Sequence, residues 1–446
     1  MDTGDTAWVL TSTALVMLMT PGLALFYGGM VRAKSVINMM MMSFGALALI
    51  SVLWVLYGYS MAFGDDVGGG LLGDPFEFLG LSNIGADDLS GTIPTLLFVG
   101  FQGMFAVITV ALVSGAIADR AKFWTWMLFA GVWATLVYFP VAHWVFAFDG
   151  DDYTGGWIAN QLQAIDFAGG TAVHINAGAA GLALALVLGP RIGFAKGAYK
   201  PHNLPLVMLG AGLLWFGWFG FNAGSALGAN GLAATALVNT IAATGAAILA
   251  WLAVERLRDG HATSLGAASG TVAGLVAITP ACAALNPLGS LALGAVAGAV
   301  CSLAVSLKFR LKYDDSLDVV AVHLIGGIVG TVSIGFLAVE GGLFFGGGVD
   351  LLWRQIIGSA AVLAYSLVVT YAIAYTLQKT IGFRVDDDDE VVGVDRIHHG
   401  ESGYEIGTED IPEHVLARAT APKVKSEGSV DELGLRAAQG EVSPAT

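Results

Sequence analysis

Long apolar runs, separated by short charged or Gly/Pro-rich breaks, repeat along most of the chain. A helix that crosses the hydrocarbon core of a bilayer needs about 20 mainly apolar residues. Runs of this length recur from residue 7 to residue 378. The pattern predicts an all-α integral membrane protein with eleven transmembrane helices, at residues 7–31, 37–63, 91–118, 123–147, 166–189, 204–224, 231–254, 263–280, 288–307, 319–339 and 353–378.

Charged residues alternate in sign between successive connections. The connections after odd-numbered helices carry fourteen bases: Arg32, Lys34, Arg120, Lys122, Arg191, Lys196, Lys200, Arg256, Arg258, Lys308, Arg310, Lys312, Lys379 and Arg384. Those after even-numbered helices carry acids: Asp65, Asp66, Asp74, Glu77, Asp87, Asp88, Asp149, Asp151, Asp152, Glu340 and Asp350, with Arg354 as the one base. Because cytoplasmic loops are enriched in Lys and Arg, we predict the N-terminus outside and the C-terminus inside.

The helix count also suggests an internal symmetry. Helices 1 to 5 and 6 to 10 form two halves, and an odd number of crossings per half inverts the second half relative to the first. Transporters often place their site at the interface of such repeats. We therefore expect two inverted five-helix repeats followed by a final long helix.

Composition excludes several classes of protein. Of 446 residues, 56% are hydrophobic and 12% are charged, which excludes an ordinary cytosolic enzyme. The net charge of -15 comes from acids in loops and in the tail, so nucleic-acid binding is not expected. Two cysteines, Cys282 and Cys301, cannot build a disulfide framework or a Cys-rich metal site. We expect no metal and no cofactor, and an acidic start without bases argues against a cleaved signal peptide.

A change in composition near residue 379 divides the chain into two predicted regions. Residues 1–378 form the transmembrane domain, and residues 379–446 form a cytoplasmic tail that opens with the acidic run Asp386 to Glu390. Low apolar content predicts disorder in the distal part of the tail. A solvated extension without partners is the alternative to a partner-binding segment.

Polar residues at membrane depth are costly and usually face a protein interior or an aqueous path. The candidates are Asp166, His174, Asn176, Asp318 and His323. His174 lies about 12 Å along its helix from Asp166, and His323 enters from the opposite side, so both reach toward the midplane. Two facing imidazoles could accept a hydrogen bond from a small N–H species or relay its proton. Simple helix bridging is the alternative, and a zinc site lacks further ligands.

Aromatic residues surround the outer ends of several predicted helices. They include Phe101, Phe105, Phe146, Trp218, Phe219 and Phe221, and Ser225 follows the last three. Aromatic faces attract cations, and a hydroxyl can accept a hydrogen bond from one. The cluster is therefore a candidate external cation site, although interfacial anchoring and core packing are common alternatives.

Seven segments in order resemble the ammonium transporter (Amt/Mep/Rh) family, and its bacterial and archaeal Amt branch fits better than the Rh branch. They are Pro21 to Gly29, Phe101 to Ala106, Asp166 to Asn176, Lys200 to Pro205, Trp218 to Ser225, Thr279 to Cys282, and Asp318 to His323. The likeness covers residues 7 to 404. It implies a plasma-membrane homotrimer in contact with lipid, in which each subunit has a narrow apolar pore for ammonium and its analogue methylammonium.

The resemblance also implies roles for single residues. His174 and His323 correspond to the twin pore histidines, and Phe105 and Phe221 to the aromatic gate above them. Trp218 would line the pore, with Thr279 close by. Phe101, Phe105, Phe146 and Ser225 would recruit the ion. Asp166 corresponds to an essential acid that supports the recruitment site without binding the substrate directly.

One motif departs from the family pattern. The family often has His-x-x-Trp-Gly at the end of the fourth helix, whereas this chain has His143-Trp144-Val145-Phe146-Ala147. Phenylalanine attracts cations less strongly than tryptophan. The change implies either a lower external affinity or a partial replacement by Trp144.

The tail carries a further resemblance. Gly382 to Val385 and His399 to Tyr404 resemble the family's cytoplasmic segment that contacts PII signalling proteins. The expected function is electrogenic ammonium uptake in which ammonium is deprotonated, ammonia crosses the pore and net charge moves. The alternatives are an electroneutral channel for ammonia or carbon dioxide and an ammonium sensor, while no catalytic motif indicates an enzyme.

Overall fold

The computed structural model describes residues 1–151, 153–194 and 199–404. It is mostly helical. Eleven apolar helices correspond one for one to the predicted ones: α1 Thr3–Met30, α2 Ala33–Phe63, α3 Thr95–Ile117, α4 Phe123–Phe146, α5 Gly170–Leu188, α6 Leu204–Gly224, α7 Gly231–Asp259, α8 Ser264–Ile278, α9 Pro287–Leu311, α10 Val320–Leu337 and α11 Asp350–Thr380. Asp152, Lys196 and the distal tail, which the sequence-based predictions also used, lie outside the described residues.

Ten of these helices are long and apolar enough to cross a membrane, within the described ranges. The exception is α8, which has 15 residues and so rises only about 22 Å along its axis. Nearly all of its side chains are buried against other helices. The structure therefore supports a multi-pass membrane protein, and α8 is the one predicted span that is short.

Side-chain caps explain where several helices begin. Asp2 Oδ1 accepts a hydrogen bond from the Asp5 amide at 2.9 Å, and this cap starts α1 four residues before the predicted position. Asn203, Asn230 and Asn286 cap α6, α7 and α9 in the same way. Such caps satisfy amides that have no partner within the helix.

Four of the long helices contain a π-helical turn. Two of these turns, Gly170–Ile175 and Val320–Ile325, begin α5 and α10 and carry His174 and His323. The other two, Trp54–Gly58 and Ala134–Tyr138, interrupt α2 and α4. Turns of this kind are frequent at functional sites, and in α5 and α10 they include the two histidines.

The first helices of the two predicted halves, α1 and α6, pack closely against each other. A Cβ atom added at Gly210 of α6 would overlap the backbone of Phe26 in α1. Small residues let membrane helices approach this closely. The same principle applies to α8, where a side chain at Gly274 would meet Ala247 and Thr244 of α7.

The connecting segments form a small structured layer at each end of the bundle. On one side a hairpin of β1 Leu89–Ser90 and β2 Ile93–Pro94 precedes α3. On the other side the tail continues through α12 Asp387–Val392 and α13 Val394–His398.

The described part of the tail packs on the helix bundle. Phe383 is fully buried, and its carbonyl accepts a hydrogen bond from the Lys122 amide at 2.9 Å. Asp395 accepts hydrogen bonds from the amides of Ile37 and Asn38 at the start of α2. Residues 379–404 therefore belong structurally to the same body as the helices.

Candidate functional site

A cavity of about 450 Å³ opens at the end of the bundle where α2, α3 and α6 meet the hairpin side. It contains all the residues predicted for recruitment: Phe101, Phe105, Phe146, Asp166 and Ser225. Ser225 follows the end of α6, and its hydroxyl donates to the Phe221 carbonyl at 2.8 Å. The oxygen lone pairs of Ser225 thus stay available to accept a hydrogen bond from an N–H group.

Two phenylalanine rings close the bottom of this outer cavity. Phe105 and Phe221 stack with ring centroids 4.1 Å apart and an angle of 13° between the planes. Phe105 borders the outer cavity, whereas Phe221 borders a second cavity deeper in the bundle. We call these two rings the phenylalanine stack, and passage between the cavities requires the rings to move apart.

The deeper cavity, here called the histidine cavity, has a volume of about 10 Å³. That is about the smallest space that holds one water-sized molecule. Its walls are apolar except for His174, His323 and the indole of Trp218, and they include Leu23, Phe26, Ile108, Leu112, Val173 and Leu214. Such a space suits a small neutral molecule better than an ion.

The two predicted pore histidines contact each other inside the protein. The Nδ1 atoms of His174 and His323 lie 3.3 Å apart, and the ring centroids are 5.3 Å apart. Both side chains are almost completely buried. Because one Nδ1 must donate and the other must accept, the pair fixes one tautomer of each ring and leaves the two Nε2 atoms in opposite roles.

Trp218 forms one wall beside this pair. Its ring lies 5.4 Å from that of His174, and its indole N–H donates to Thr279 Oγ1 at 2.7 Å. Thr279 is fully buried behind the tryptophan and borders neither cavity. Thr279 therefore lies behind the pore wall, where its hydroxyl holds the indole that forms it.

The Asp166 carboxylate is occupied by backbone amides. Its two oxygens accept hydrogen bonds from the N–H groups of Gly169, Gly170, Thr171 and Ala172 at 2.7 to 3.1 Å. The predicted start of the fifth helix at residue 166 is thus four residues early. Asp166 caps α5, and this helix carries His174 eight residues further along the chain.

The last long helix holds the segment that leads into Asp166. Gln355 of α11 is fully buried, and its amide pairs with both the N–H and the carbonyl of Ile165 at 2.7 Å. Its Nε2 also donates to the Thr331 carbonyl in α10 at 3.2 Å. This residue was missed in the sequence, since a lone glutamine near a helix start gives no signal of a contact 190 residues away.

Asp315 is another residue that the sequence analysis did not identify. It lies eight residues before His323, as Asp166 lies eight residues before His174, and its Oδ2 accepts the Val320 amide at 2.7 Å. Burial raises the pKa of Asp315 to about 6, and Asp318 adds to this shift. The repeated spacing Asp-x7-His was the available signal, and Asp318, which was singled out instead, pairs with Lys308 at 2.7 Å.

The structure also separates the two aromatic candidates at the end of α4. Phe146 borders the outer cavity and meets the edge of Phe105 with centroids 6.4 Å apart. Trp144 does not border it. Its indole N–H donates to the Leu71 carbonyl at 2.8 Å, and its ring packs on Trp157 and Tyr365. Trp144 thus supports a loop, and Phe146 occupies the cavity wall.

Comparison with known proteins agrees with this geometry. The profile of the Ammonium Transporter Family matches residues 7–404, and an ammonium transporter of Mycobacterium tuberculosis is 59% identical over 434 residues, covering 91% of each chain. The chain belongs to the Ammonium Transporter Family. As a member of this family it is a multi-pass membrane transporter of ammonium and not an enzyme.

Solved structures of the family have the same fold. The crystal structure of Mep2 from Saccharomyces cerevisiae matches with a TM-score of 0.80 and 34% identity over 93% of this chain and 94% of that one. A structure described as a sensor Amt protein matches with a TM-score of 0.80 and 27% identity over 88% and 97% of the two chains. The resemblance found in the sequence is therefore confirmed at the level of family and overall fold.

Proposed function

We propose that this ammonium transporter binds ammonium in the outer cavity, removes its proton near the phenylalanine stack, and conducts ammonia past His174 and His323. An imidazole nitrogen of the histidine pair accepts the proton, and the pair returns it to ammonia beyond the histidine cavity, so that net charge moves with each ammonia. The observation that carries the proposal is the histidine cavity, which is about 10 Å³ in volume and almost wholly apolar.

Electrostatics give the reason for deprotonation. Placing a charged group at the centre of a bilayer costs about 3 kcal/mol or more, and an apolar cavity of this size cannot hold the water that would reduce this cost. A neutral ammonia avoids the cost. The contact between the two imidazoles supplies a proton donor and a proton acceptor in the same place.

The topology belongs to the same proposal. All eleven helices cross the membrane, with the N-terminus outside, the C-terminus inside, and two inverted five-helix repeats before α11. Three copies assemble into a homotrimer with one pore in each subunit. In support, many large apolar side chains are exposed on this chain, among them Leu249, Trp353 and Val368, and these require cover from lipid or from another subunit.

The experiment that tests the mechanism is a current measurement on purified protein in a supported membrane, after jumps of ammonium, methylammonium and potassium. Wild type should give a saturable ammonium current and no potassium current. His174→Ala and His323→Ala should each lose most of the ammonium current or its selectivity over potassium. His261→Ala, which changes an exposed loop histidine, is the matched control and should behave as wild type.

Two results would contradict parts of this proposal. If both pore variants kept the wild-type current and selectivity, the histidines would have no role in proton transfer. If wild type moved ammonia in a pH-dye assay but gave no current, the electroneutral gas channel would be the correct alternative.

Regulation by a PII signalling protein is a separate part of the proposal. The PII protein would bind at the cytoplasmic face, near the tail segments Gly382 to Val385 and His399 to Tyr404. Phe383, Asp395 and Tyr404 are already engaged with the helix bundle, so deletion from residue 380 would also disturb the fold. Deletion of residues 405–446 is the cleaner variant. Unchanged PII binding after this deletion would place the contact within residues 379–404. Absence of PII binding by the wild type would refute this part of the proposal.

A further inference from the structure

The outer cavity is much larger than one ammonium ion. Its volume of about 450 Å³ is roughly fifteen times the space of about 30 Å³ that a water-sized molecule occupies in a liquid. The predicted recruitment residues form only part of its lining. A second group of aromatic residues also borders it, namely Tyr59, Phe63, Phe98 and Tyr153.

Three rings of this second group, those of Tyr59, Phe63 and Phe98, contact one another. Tyr59 stacks on Phe63 with centroids 5.5 Å apart, and Phe63 meets Phe98 edge to face at 5.0 Å. Tyr59 lies at the outer end of α2, and Tyr153 lies in the connection between α4 and α5. Tyrosine differs from the neighbouring phenylalanines because it adds a hydroxyl that can accept a hydrogen bond from a cation.

The hydroxyl of Tyr153 is the unusual feature. It is buried and has no hydrogen-bond partner among the residues that the structure describes. Buried hydroxyls nearly always have a partner, so a hydroxyl without one beside a cavity indicates a ligand or water that completes it.

Negative charge surrounds the same position. Burial raises the pKa of Tyr153 well above its usual range, and the carboxylates of Glu77, Asp65 and Asp149 act in the same direction. A negative potential that opposes ionisation of a phenol also favours a bound cation. Backbone contacts fix this arrangement, since the Thr154 amide donates to Asp65 Oδ1 at 2.8 Å and the Asp65 amide donates to Glu77 Oε2 at 2.5 Å.

We propose that Tyr59 and Tyr153, here called the tyrosine pair, form an outer binding site for a small monovalent cation such as ammonium or methylammonium, upstream of the phenylalanine stack. Both tyrosines border the cavity, the Tyr153 hydroxyl accepts one N–H hydrogen bond, and Glu77 supplies the long-range attraction. An ion at this site raises the local supply to the recruitment residues. The inference rests on the proposed function, because it assumes that ammonium enters from this side.

The test is the ammonium dependence of the current in reconstituted protein. Tyr153→Phe removes only the hydroxyl, so the fold should tolerate it, and Glu77→Gln keeps an oxygen acceptor for the Asp65 amide. Each change should raise the KM for ammonium by about threefold, the scale of one hydrogen bond or one screened charge, with an unchanged maximal current. Tyr59→Phe combined with Tyr153→Phe should give a larger rise than either alone.

A matched control changes a tyrosine that faces away from the cavity. Tyr371→Phe alters an exposed ring on α11 and should leave both KM and maximal current unchanged. A wild-type KM in the double tyrosine variant, with a normal wild-type current, would overturn the outer site and leave the proposed mechanism intact. A fall in maximal current without a rise in KM would also overturn it, since that result indicates a structural role. Absence of any wild-type ammonium current would instead refute the proposed function.

Discussion

At the scale of single residues, the hydrogen bonds that each polar side chain makes within the protein determine which donor or acceptor it has left for ammonium. Asp166 uses both oxygens on four amides, so it positions α5 and has little capacity left for a cation. Ser225 donates its proton to a carbonyl and keeps its lone pairs. His174 and His323 use one nitrogen each on the other. These hydrogen bonds therefore separate Asp166, which positions a helix, from Ser225 and the histidines, which keep groups for the substrate.

The residue at position 146 should set the external affinity. Tryptophan has the most strongly cation-attracting ring, and Phe146 already borders the outer cavity beside Phe105. We expect Phe146→Trp to lower the KM for ammonium by about threefold, which corresponds to about 0.7 kcal/mol. Trp144→Phe is the control, and it should leave KM unchanged while weakening the loop contact to Leu71. A KM that responded to Trp144 and not to residue 146 would reverse this assignment.

Removal of the Asp166 charge should lower the stability of the fold. Asn keeps one carbonyl oxygen for the four amides, so one or two buried N–H groups lose their acceptor at about 1–3 kcal/mol each. We expect Asp166→Asn to lower the thermal unfolding midpoint in detergent and to abolish the current. A variant with wild-type stability and no current would instead indicate that Asp166 binds the substrate.

At the scale of elements, the sequence predicted which segments are helices but not how they hold one another. Apolar run length located all eleven helices, because each run is long and its breaks are charged. The starts at residues 3 and 170 were missed because they depend on the caps Asp2 and Asp166. Gln355 was missed because its partner Ile165 lies 190 residues away along the chain, and Tyr153 was missed because a lone tyrosine in a connecting segment gives no signal that it borders a cavity. Motifs located the histidines, the phenylalanine stack and Ser225, since the resemblance gave their order.

Gln355 should act as a positioning residue for α5. Its amide holds both backbone groups of Ile165, the residue before Asp166. Gln355→Met keeps the volume and leaves these buried groups without partners, so we expect a loss of at least about 2 kcal/mol of stability and a lower maximal current. Gln163→Met, which changes an amide bonded to Arg354 at the same loop, is the control. An unchanged maximal current for Gln355→Met would exclude a positioning role.

The buried ion pairs of Arg191 should make the stability of the protein depend on pH. Arg191 bridges Asp119 and Asp314 at 3.0 and 2.8 Å. Burial alone would raise the pKa of Asp119 and Asp314, but the neighbouring guanidinium groups outweigh it and the pKa of each lies below its ordinary value. Their stabilisation is therefore complete above the unfolded pKa of about 3.9 and is lost as the pH falls through the folded pKa.

We expect Asp119 and Asp314 to contribute their full stabilisation down to about pH 5, and the unfolding midpoint to fall below about pH 4 as they lose it. Asp314→Asn should cost about 3 kcal/mol at neutral pH, because it leaves part of Arg191 unpaired, and should flatten the acid dependence. Asp259→Asn, which alters an exposed pair with Arg258, is the control and should change little. A midpoint that rose as the pH fell below about 4 would contradict this prediction.

At the scale of the whole molecule, the proposed membrane topology depends on whether α8 crosses the membrane. The helix has 15 residues, yet it is enclosed by other helices, so its backbone is shielded from lipid and a short crossing is tolerated. If it crosses, the histidines of α5 and α10 come from inverted halves and meet at the middle. If it does not, the charge alternation and the inverted repeat both fail after α7.

Two labelling sites on either side of α8 distinguish these arrangements. Cys282 and Cys301 are buried, so the native thiols should resist a membrane-impermeant maleimide and provide a silent background. His261→Cys precedes α8 and Leu288→Cys follows it, and both positions are exposed. If α8 crosses the membrane, these positions lie on opposite sides and position 288 is outside. We then expect the maleimide to label Leu288→Cys alone in intact cells and both variants in opened cells. Labelling of both or of neither in intact cells would place them on one side. That result would remove the crossing on which the inverted repeat depends.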